Sequence, residues 1–389
     1  MTATQGKRET AAAKARIVLA SGGTGGHVFP AQALSAELVA RGHSVSVVTD
    51  RRGANFPGDL DVHPISAGTL GRSARTLARG TMENAVGLGQ SLRLLRRLRP
   101  SVVVGFGGYP SLPPMIAARL LRIPTVLHEQ NAVLGRANRI LARRVTRIAT
   151  SFETVSGILP VDRAKVCRTG NPVRPAVAAL AGAPFTVPGP EGPLEIFVLG
   201  GSQGAHVFSE VIPAAVALLP EQYRARLRIA QQCRPEDLEE VRAAYATLGV
   251  QVELAAFFRD VPQRLVAAHL VIARSGASTI AEITAIGRPA ILVPYPFAMD
   301  DHQAANAHAI DEAGGAWLMP QRGFCASALA ARLESVLTLP SLLEPVAAAS
   351  RNLGLPQAAS RLADLVEETA EEYAPRESRA AHDLRGLAA

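Results

Sequence analysis

Two stretches of this chain open in the same way. Ile17 to Ala20 is a short apolar run that meets Gly22, Gly23, Gly25 and Gly26, and a helical pattern follows from about Pro30 to Arg41. Ile196 to Leu199 is another such run; it meets Gly200, Gly201 and Gly204, and a helix is expected from about Ala205. A buried strand, a glycine turn and a helix in that order begin a doubly wound α/β unit. Strand and helix patterns then alternate in each half, which calls for parallel sheets. In the first half the strands are expected at Val45 to Thr49, Val102 to Val104, Thr125 to His128 and Arg147 to Thr150. In the second they are expected at Leu227 to Gln231, Val250 to Leu254, Leu270 to Ala273 and Ala290 to Val293.

Between the halves, Ala181 to Pro193 carries Gly182, Pro184, Pro188, Gly189, Pro190, Gly192 and Pro193. Such punctuation reads as a linker. The expected organisation is α/β, with two Rossmann-like domains over residues 14–180 and 194–373 facing a central cleft. With 389 residues there is enough chain for two full cores. Residues 355–373 read as a helix closing the second half or packing back on the first, and the segments before residue 14 and from Pro375 onward read as loose.

Composition narrows the class further. Cys167, Cys233 and Cys325 show no CxxC spacing and are odd in number, so neither a zinc site nor a disulfide framework is indicated. A reducing, cytoplasmic setting follows. No leader-like apolar segment opens the chain, and no run of about 18 apolar residues is present to span a bilayer. The net charge is +8, and its placement is uneven. Residues 72–99 and 119–147 each hold seven Arg and one Glu, whereas residues 364–372 hold Asp364, Glu367, Glu368, Glu371 and Glu372. A basic first half suits an anionic surface, lipid or nucleic acid. The segment from Leu70 to Arg99 interleaves Leu70, Leu77, Met82, Val86 and Leu88 with Arg72, Arg75 and Arg79. It reads either as an amphipathic membrane-surface stretch or as a core-facing helix with a solvated Arg face.

The richest chemistry lies between Arg274 and Ala307. The strand Leu270 to Ala273 runs into Ser275, Gly276, Ala277 and Ser278, and a helix follows; its free N-terminal amides attract phosphate. Glu282 stands two turns into that helix as a carboxylate for paired hydroxyls. The strand after it ends in a polar loop with Asp300, Asp301, His302 and Gln303. Phosphate donors, a diol acceptor and an amide in one element suggest a nucleotide-sugar site. Other motifs admit two readings each. His27 is a capping histidine or a general base, because imidazole has a suitable pKa for taking a proton from a hydroxyl. The turn Gly105-Phe106-Gly107-Gly108-Tyr109 is a tight connection or half of a diphosphate cradle. His128-Glu129-Gln130-Asn131 lies at a strand's carboxyl end, where open α/β sheets bind ligands, and Asn131 also suits a helix cap. Arg174 pairs with a phosphate or is solvated. Phe257 and Phe258 border a base or join the core. Asp50 stands where a dinucleotide site wants an acid, so a dehydrogenase survives that test.

Together GGTGGH, GFGGYPS, HEQN, GNPVR, GGSQGA, RSGASTIAEI and DDHQAANA, in this order from about Arg16 to Leu365, resemble the MurG family of GT-B glycosyltransferases. The resemblance implies an inverting transfer of N-acetylglucosamine from UDP-N-acetylglucosamine to the 4-hydroxyl of the muramyl sugar of lipid I, giving lipid II without a metal or other cofactor. It implies that Thr24, Gly25 and Gly26 line the donor-sugar side and that Asn131 and Gln303 hold that sugar. Arg174 and Ser202 belong near the diphosphate, and Phe258 near the uracil through its backbone. Ala277, Ser278, Thr279, Ile280, Ala281 and Glu282 take the phosphates and ribose, with Glu282 on the ribose hydroxyls. His27 is the implied catalytic base, and Gly107, Gly108 and Tyr109 the implied acceptor-diphosphate turn. The implied setting is peripheral, on the cytoplasmic face of the plasma membrane, with an anionic membrane surface, lipid I and proteins of cell-wall synthesis and division as partners. The rival readings are a UDP-sugar-dependent diacylglycerol glycolipid synthase and an NAD-binding oxidoreductase. A nucleic-acid binder rests on charge alone, with no recognised module.

Overall fold

The computed structural model describes residues 15–373, apart from 24, 51–55, 57–59, 70–72 and 202–203. Leu70, Arg72 and the two terminal segments expected to be loose therefore lie outside the described residues. The first sheet has seven strands: β1 (Arg16–Ala20), β2 (Ser44–Thr49), β3 (Asp61–Pro64), β4 (Val102–Gly105), β5 (Thr125–Glu129), β6 (Arg147–Thr150) and β7 (Val166–Arg168). They are ordered β3-β2-β1-β4-β5-β6-β7, every pair parallel. The second has six: β8 (Leu194–Leu199), β9 (Leu227–Gln232), β10 (Gln251–Ala255), β11 (Leu270–Ala273), β12 (Ala290–Leu292) and β13 (Trp317–Leu318). Their order is β10-β9-β8-β11-β12-β13, again all parallel. Both sheets are α/β doubly wound in the Rossmann manner.

Central strands such as β1 and β11 bury almost every side chain because helices cover both faces of a parallel sheet. The three strands the sequence does not announce, β3, β7 and β13, are all edges. They are only partly buried and, at four, three and two residues, too short to stand out as strands. The first helix also differs from expectation. It spans Gly25–Ala40, so it begins at the glycine turn itself and contains Pro30, which reads in sequence as its start.

Strand order reverses direction between β1 and β4 in the first sheet and between β8 and β11 in the second. A crevice opens at each reversal, at the carboxyl ends of the strands. These two crevices position everything that follows.

The last helix, Ala358–Glu372, packs on the first sheet and not on the second. Leu362, Ala363, Leu365, Val366 and Ala370 join Ile17, Leu19, Val102 and Val104 in one core. Each large apolar side chain buried there contributes about 1.5–3 kcal/mol. The acidic run of the sequence finds its partners on that face: Arg41 contacts Asp364 at 2.6 Å and Glu367 at 2.7 Å, and Arg147 pairs with Glu372. The linker is laced to the second domain. Arg288, fully buried, donates to the carbonyls of Pro184 (3.0 Å) and Val266 (2.8 Å), and Arg351 donates to that of Ala183 (2.6 Å). The chain thus crosses between domains twice, once near residue 171, since Val173 and Val177 already join the second-domain core, and once near residue 355, against Gly170.

Candidate active site

In the first domain three loops meet at the β1/β4 reversal. After β1, Gly23 adopts φ +89°, and the Ser21 hydroxyl donates to the His27 carbonyl at 2.9 Å, tying the loop to the first turn of the helix. After β4, Gly107 and Gly108 have φ of +85° and +70°. A side chain on Gly108 would come within 3.3 Å of the Gly22 carbonyl and of the His27 ring, so this turn lies directly against the first loop. At the end of β5, His128, Glu129 and the following Gln130 are all buried. The Glu129 carboxylate accepts from the Asn131 N–H (3.0 Å), the Gly135 N–H (2.8 Å) and the Asn138 amide (2.8 Å). It therefore shapes the loop that follows β5, and its donors stabilise a buried charge.

His27 is half-buried beside this network, with Nδ1 3.0 Å from Oε1 of Gln130. Burial pushes its pKa below the usual histidine value; the charge of Glu129 opposes that shift and the neighbouring His302 adds to it. The imidazole is accordingly neutral near pH 7, the form a base requires. His128, wholly buried, is pushed down to about 4 by burial and by His27.

In the second domain β11 runs through Ser275 into the helix Ala277–Ile286. Its N-cap is Gly276, which has no side chain to satisfy the first-turn amides. The Ser278 hydroxyl is buried there without a hydrogen-bond partner among the described residues. Glu282 is held in a two-pronged ion pair within the second-domain wall: Arg174 Nε donates to Oε1 at 2.6 Å and Nη2 to Oε2 at 2.7 Å. That pairing raises the guanidinium pKa. The Gln303 side chain accepts the Tyr295 N–H at 3.0 Å, and its carbonyl accepts from the Ser275 hydroxyl at 2.8 Å. On the second glycine loop, a Cβ on Gly200 would meet the Ala205 nitrogen at 2.6 Å, so only glycine fits.

The two domains meet through polar contacts. Asn306, fully buried, donates to the Asn131 side-chain oxygen (3.0 Å) and to the Ser275 carbonyl (3.1 Å), and accepts from the Ala132 N–H (2.8 Å). Arg136 donates to Asp300 at 2.9 Å, which holds the Asp300 carboxyl below the usual range. Asp300 and Asp301 both have φ +53°, in the left-handed region unusual for residues other than glycine. Between the domains lies a cleft of ≈ 370 Å³ lined by His27, Gly108, Tyr109, Glu129, Asn131 and Arg136 on one side and by Asp300 and His302 on the other.

The expected residues fall into groups. His27, Gly108, Tyr109 and Asn131 share this cleft, Gly25 and Gly26 form the first turn of the helix beside it, and Gly107 faces Asn138. Ala277 to Glu282 and Arg174 form the second-domain wall, although Ile280 points into the core. Ala277, Ile280 and Ala281 also line a separate interdomain cavity of ≈ 260 Å³. Phe258 is a core residue, edge-on to Phe197 and covered by the Arg264 guanidinium at 4.2 Å, while Phe257 is 69% exposed. Thr24 and Ser202 lie outside the described residues. Asp50, the acid a dinucleotide site would use, is buried directly under Gly22, where a Cβ would meet its carboxylate at 2.9 Å. The roles of Gln130, Asn306 and Arg274 were not singled out in sequence, although each lies inside a motif that was. Arg274 is buried beside Tyr295 and donates to the carbonyls of Val293 and Pro294, both at 3.1 Å.

Comparison with known proteins agrees with this architecture. Residues 17–150 match the glycosyltransferase family 28 N-terminal domain, and residues 195–367 match its C-terminal domain. The chain is 59% identical to the UDP-N-acetylglucosamine--N-acetylmuramyl-(pentapeptide) pyrophosphoryl-undecaprenol N-acetylglucosamine transferase of Rhodospirillum centenum, over 90% of this chain and 94% of that protein. It is 57% identical to the protein of that name in Paramagnetospirillum magneticum, over 91% and 96%. Among solved structures it resembles Acinetobacter baumannii MurG, with a TM-score of 0.73 at 30% identity, covering 91% of this chain and 99% of that one. The chain therefore belongs to the MurG family, within glycosyltransferase family 28.

Proposed function

We infer that the chain moves N-acetylglucosamine from UDP-N-acetylglucosamine to the 4-hydroxyl of the muramyl sugar of lipid I, yielding lipid II for peptidoglycan. The observation that carries this reading is 59% identity, across 90% of the chain, to a relative named for that transfer. The geometry supports a division of labour across the cleft. The uncapped N-terminus of Ala277–Ile286 offers the N–H groups of Ala277, Ser278 and Thr279, and the Ser278 hydroxyl, to the donor diphosphate. Those dipoles face the charge that builds on the departing UDP and stabilise it as the glycosidic bond breaks. Arg174 occupies one lone-pair site on each Glu282 oxygen, leaving both oxygens a further site for the ribose hydroxyls. Arg174 thereby acts on the donor through Glu282. Asn131 and Gln303 face the donor sugar from opposite domains.

On the other wall, neutral His27 takes the proton from the acceptor hydroxyl as the anomeric carbon gains positive character. Attack from the face opposite the leaving group inverts that carbon. Gly107, Gly108 and Tyr109 offer a turn for the acceptor's diphosphate. The membrane half of the reading rests on the helix Ala74–Leu98. Its Leu94, Leu95 and Leu98 are core, while Leu77, Val86 and Met82 (71% exposed) stand with the exposed Arg75 and Arg79 on the outside. Apolar side chains amid guanidinium groups suit peripheral attachment to an anionic bilayer, at the cytoplasmic face where lipid I presents its headgroup. Among the described residues no helix is long and apolar enough to cross a membrane.

A transfer assay with radiolabelled UDP-N-acetylglucosamine and equal lipid I and diacylglycerol tests the acceptor directly. Label is expected on lipid I alone, and label accumulating on diacylglycerol would replace this reading with a glycolipid synthase.

A further inference from the structure

The polar chain behind His27 has a direction that backbone atoms impose. The Gln130 side-chain nitrogen lies 2.9 Å from the Phe106 carbonyl and 3.1 Å from the His128 carbonyl. Both are obligate acceptors, so the group facing them is the NH₂, and the amide cannot be turned over. Its oxygen therefore faces His27, 3.0 Å from Nδ1. An amide oxygen only accepts, so Nδ1 carries the proton and Nε2 keeps its lone pair. The same NH₂ lies 2.9 Å from Nδ1 of His128, which is then the unprotonated nitrogen of that ring, and His128 Nε2 donates to the Gly170 carbonyl at 3.0 Å. Charging His128 would set an N–H against the NH₂, and burial holds it neutral. Gln130 and His128 are both buried, so water does not compete for these bonds.

We propose that Gln130 is a positioning residue that fixes the tautomer of His27, leaving Nε2 as the nitrogen that accepts the acceptor sugar's proton. The role is that of the third member of a nucleophile–base–orienter array, filled here by a neutral amide. The choice of an amide has a consequence. A carboxylate in the same place would favour the imidazolium and make His27 a base that is partly protonated near neutral pH; the amide orients the ring and adds no charge. The other ionisable groups acting on the ring are Glu129 and His128 from the β5 end and His302 from the second domain. The proposal rests on His27 being the base.

Two measurements on the full chain test it. In ¹⁵N imidazole NMR near pH 7.5, His27 is expected as the neutral Nδ1–H form. A resonance showing Nε2–H would overturn the proposal outright, whatever any variant does. Gln130→Met, similar in volume but without the amide, is expected to mix the tautomers and lower kcat at least about tenfold, with the KM for UDP-N-acetylglucosamine within about twofold. Gln130→Glu still accepts from Nδ1. It is expected to keep the Nδ1–H form, to retain more turnover than Gln130→Met, and to move the acid limb of the kcat/KM profile to higher pH. Gln130→Met with wild-type turnover, or Gln130→Glu with an unmoved acid limb, would contradict the assignment. If Gln130→Met fails to fold, as read by thermal melting with and without UDP, the wild-type spectrum and the Gln130→Glu profile still decide. His27→Ala with unchanged turnover would instead remove the base reading and leave the tautomer measurement standing.

Discussion

The two crevices are built on the same strand order yet carry opposite chemistry. At the first-domain reversal the titratable side chains are already engaged: Glu129 is surrounded by donors, and Gln130 bridges two histidines. At the second-domain reversal the helix Ala277–Ile286 presents uncapped amides and a buried hydroxyl without a partner among the described residues. A network of fixed donors and acceptors holds a titratable group in one protonation state and one orientation. An unsatisfied helix terminus holds an anion. One topology thus serves proton transfer on one wall and leaving-group stabilisation on the other, and the difference lies in a few side chains at the strand ends.

The comparison can be broken from either side. The largest effect is expected from His27→Ala. Turnover should fall about 10²–10⁴-fold while the KM for UDP-N-acetylglucosamine stays within about threefold, because only proton transfer is removed. Steady-state kinetics with both substrates varied would show it, and an equal loss of donor binding would mean that the first wall also holds the donor. Glu282→Ala should act on the other wall. Donor KM is expected to rise about tenfold, or about 1.4 kcal/mol, with the KM for lipid I unchanged. A variant with unaltered donor KM removes the ribose role from Glu282.

A smaller effect concerns stability. His128 titrates at about 4 when folded and near 6.5 when unfolded. Between those values the unfolded chain binds the extra proton, so stability falls as pH drops from about 6.5 toward 4 and is unaffected above that window. Two and a half units correspond to about 3 kcal/mol. Urea unfolding at pH 7 and pH 4.5, compared between wild type and His128→Phe, would read this. The variant should lose less stability on acidification, and an identical loss would place the proton elsewhere.

Much of this was legible in the chain, and the reason is physical. Central parallel strands are buried on both faces and so appear as unbroken apolar runs, and glycines at strand ends mark backbone that must turn sharply. Those signals located β1, β4, β8 and β11. The edges β3, β7 and β13 lack that burial and left no pattern. The cross-cleft contacts were illegible for another reason. Asn131 meets Asn306 across 175 positions and Arg136 meets Asp300 across 164, and within the second-domain wall Arg174 meets Glu282 across 108. A single polar residue has no periodicity, so its partner is known only when the fold brings the two together. Arg174 illustrates the consequence: motif reading offers it a phosphate or solvent, and only the fold reveals that its guanidinium grips the Glu282 carboxylate. The acidic tail run is a similar case, since its basic partners Arg41 and Arg147 lie on elements more than 200 residues away.

The central claim is that the second-domain wall holds the donor. A crystal structure of the full chain with UDP-N-acetylglucosamine tests it most directly. The diphosphate is expected within about 2.7–3.2 Å of the Ala277, Ser278 and Thr279 N–H groups, with the ribose hydroxyls on Glu282. A diphosphate lodged instead against the glycine turns at Gly22 and Gly107 would contradict it.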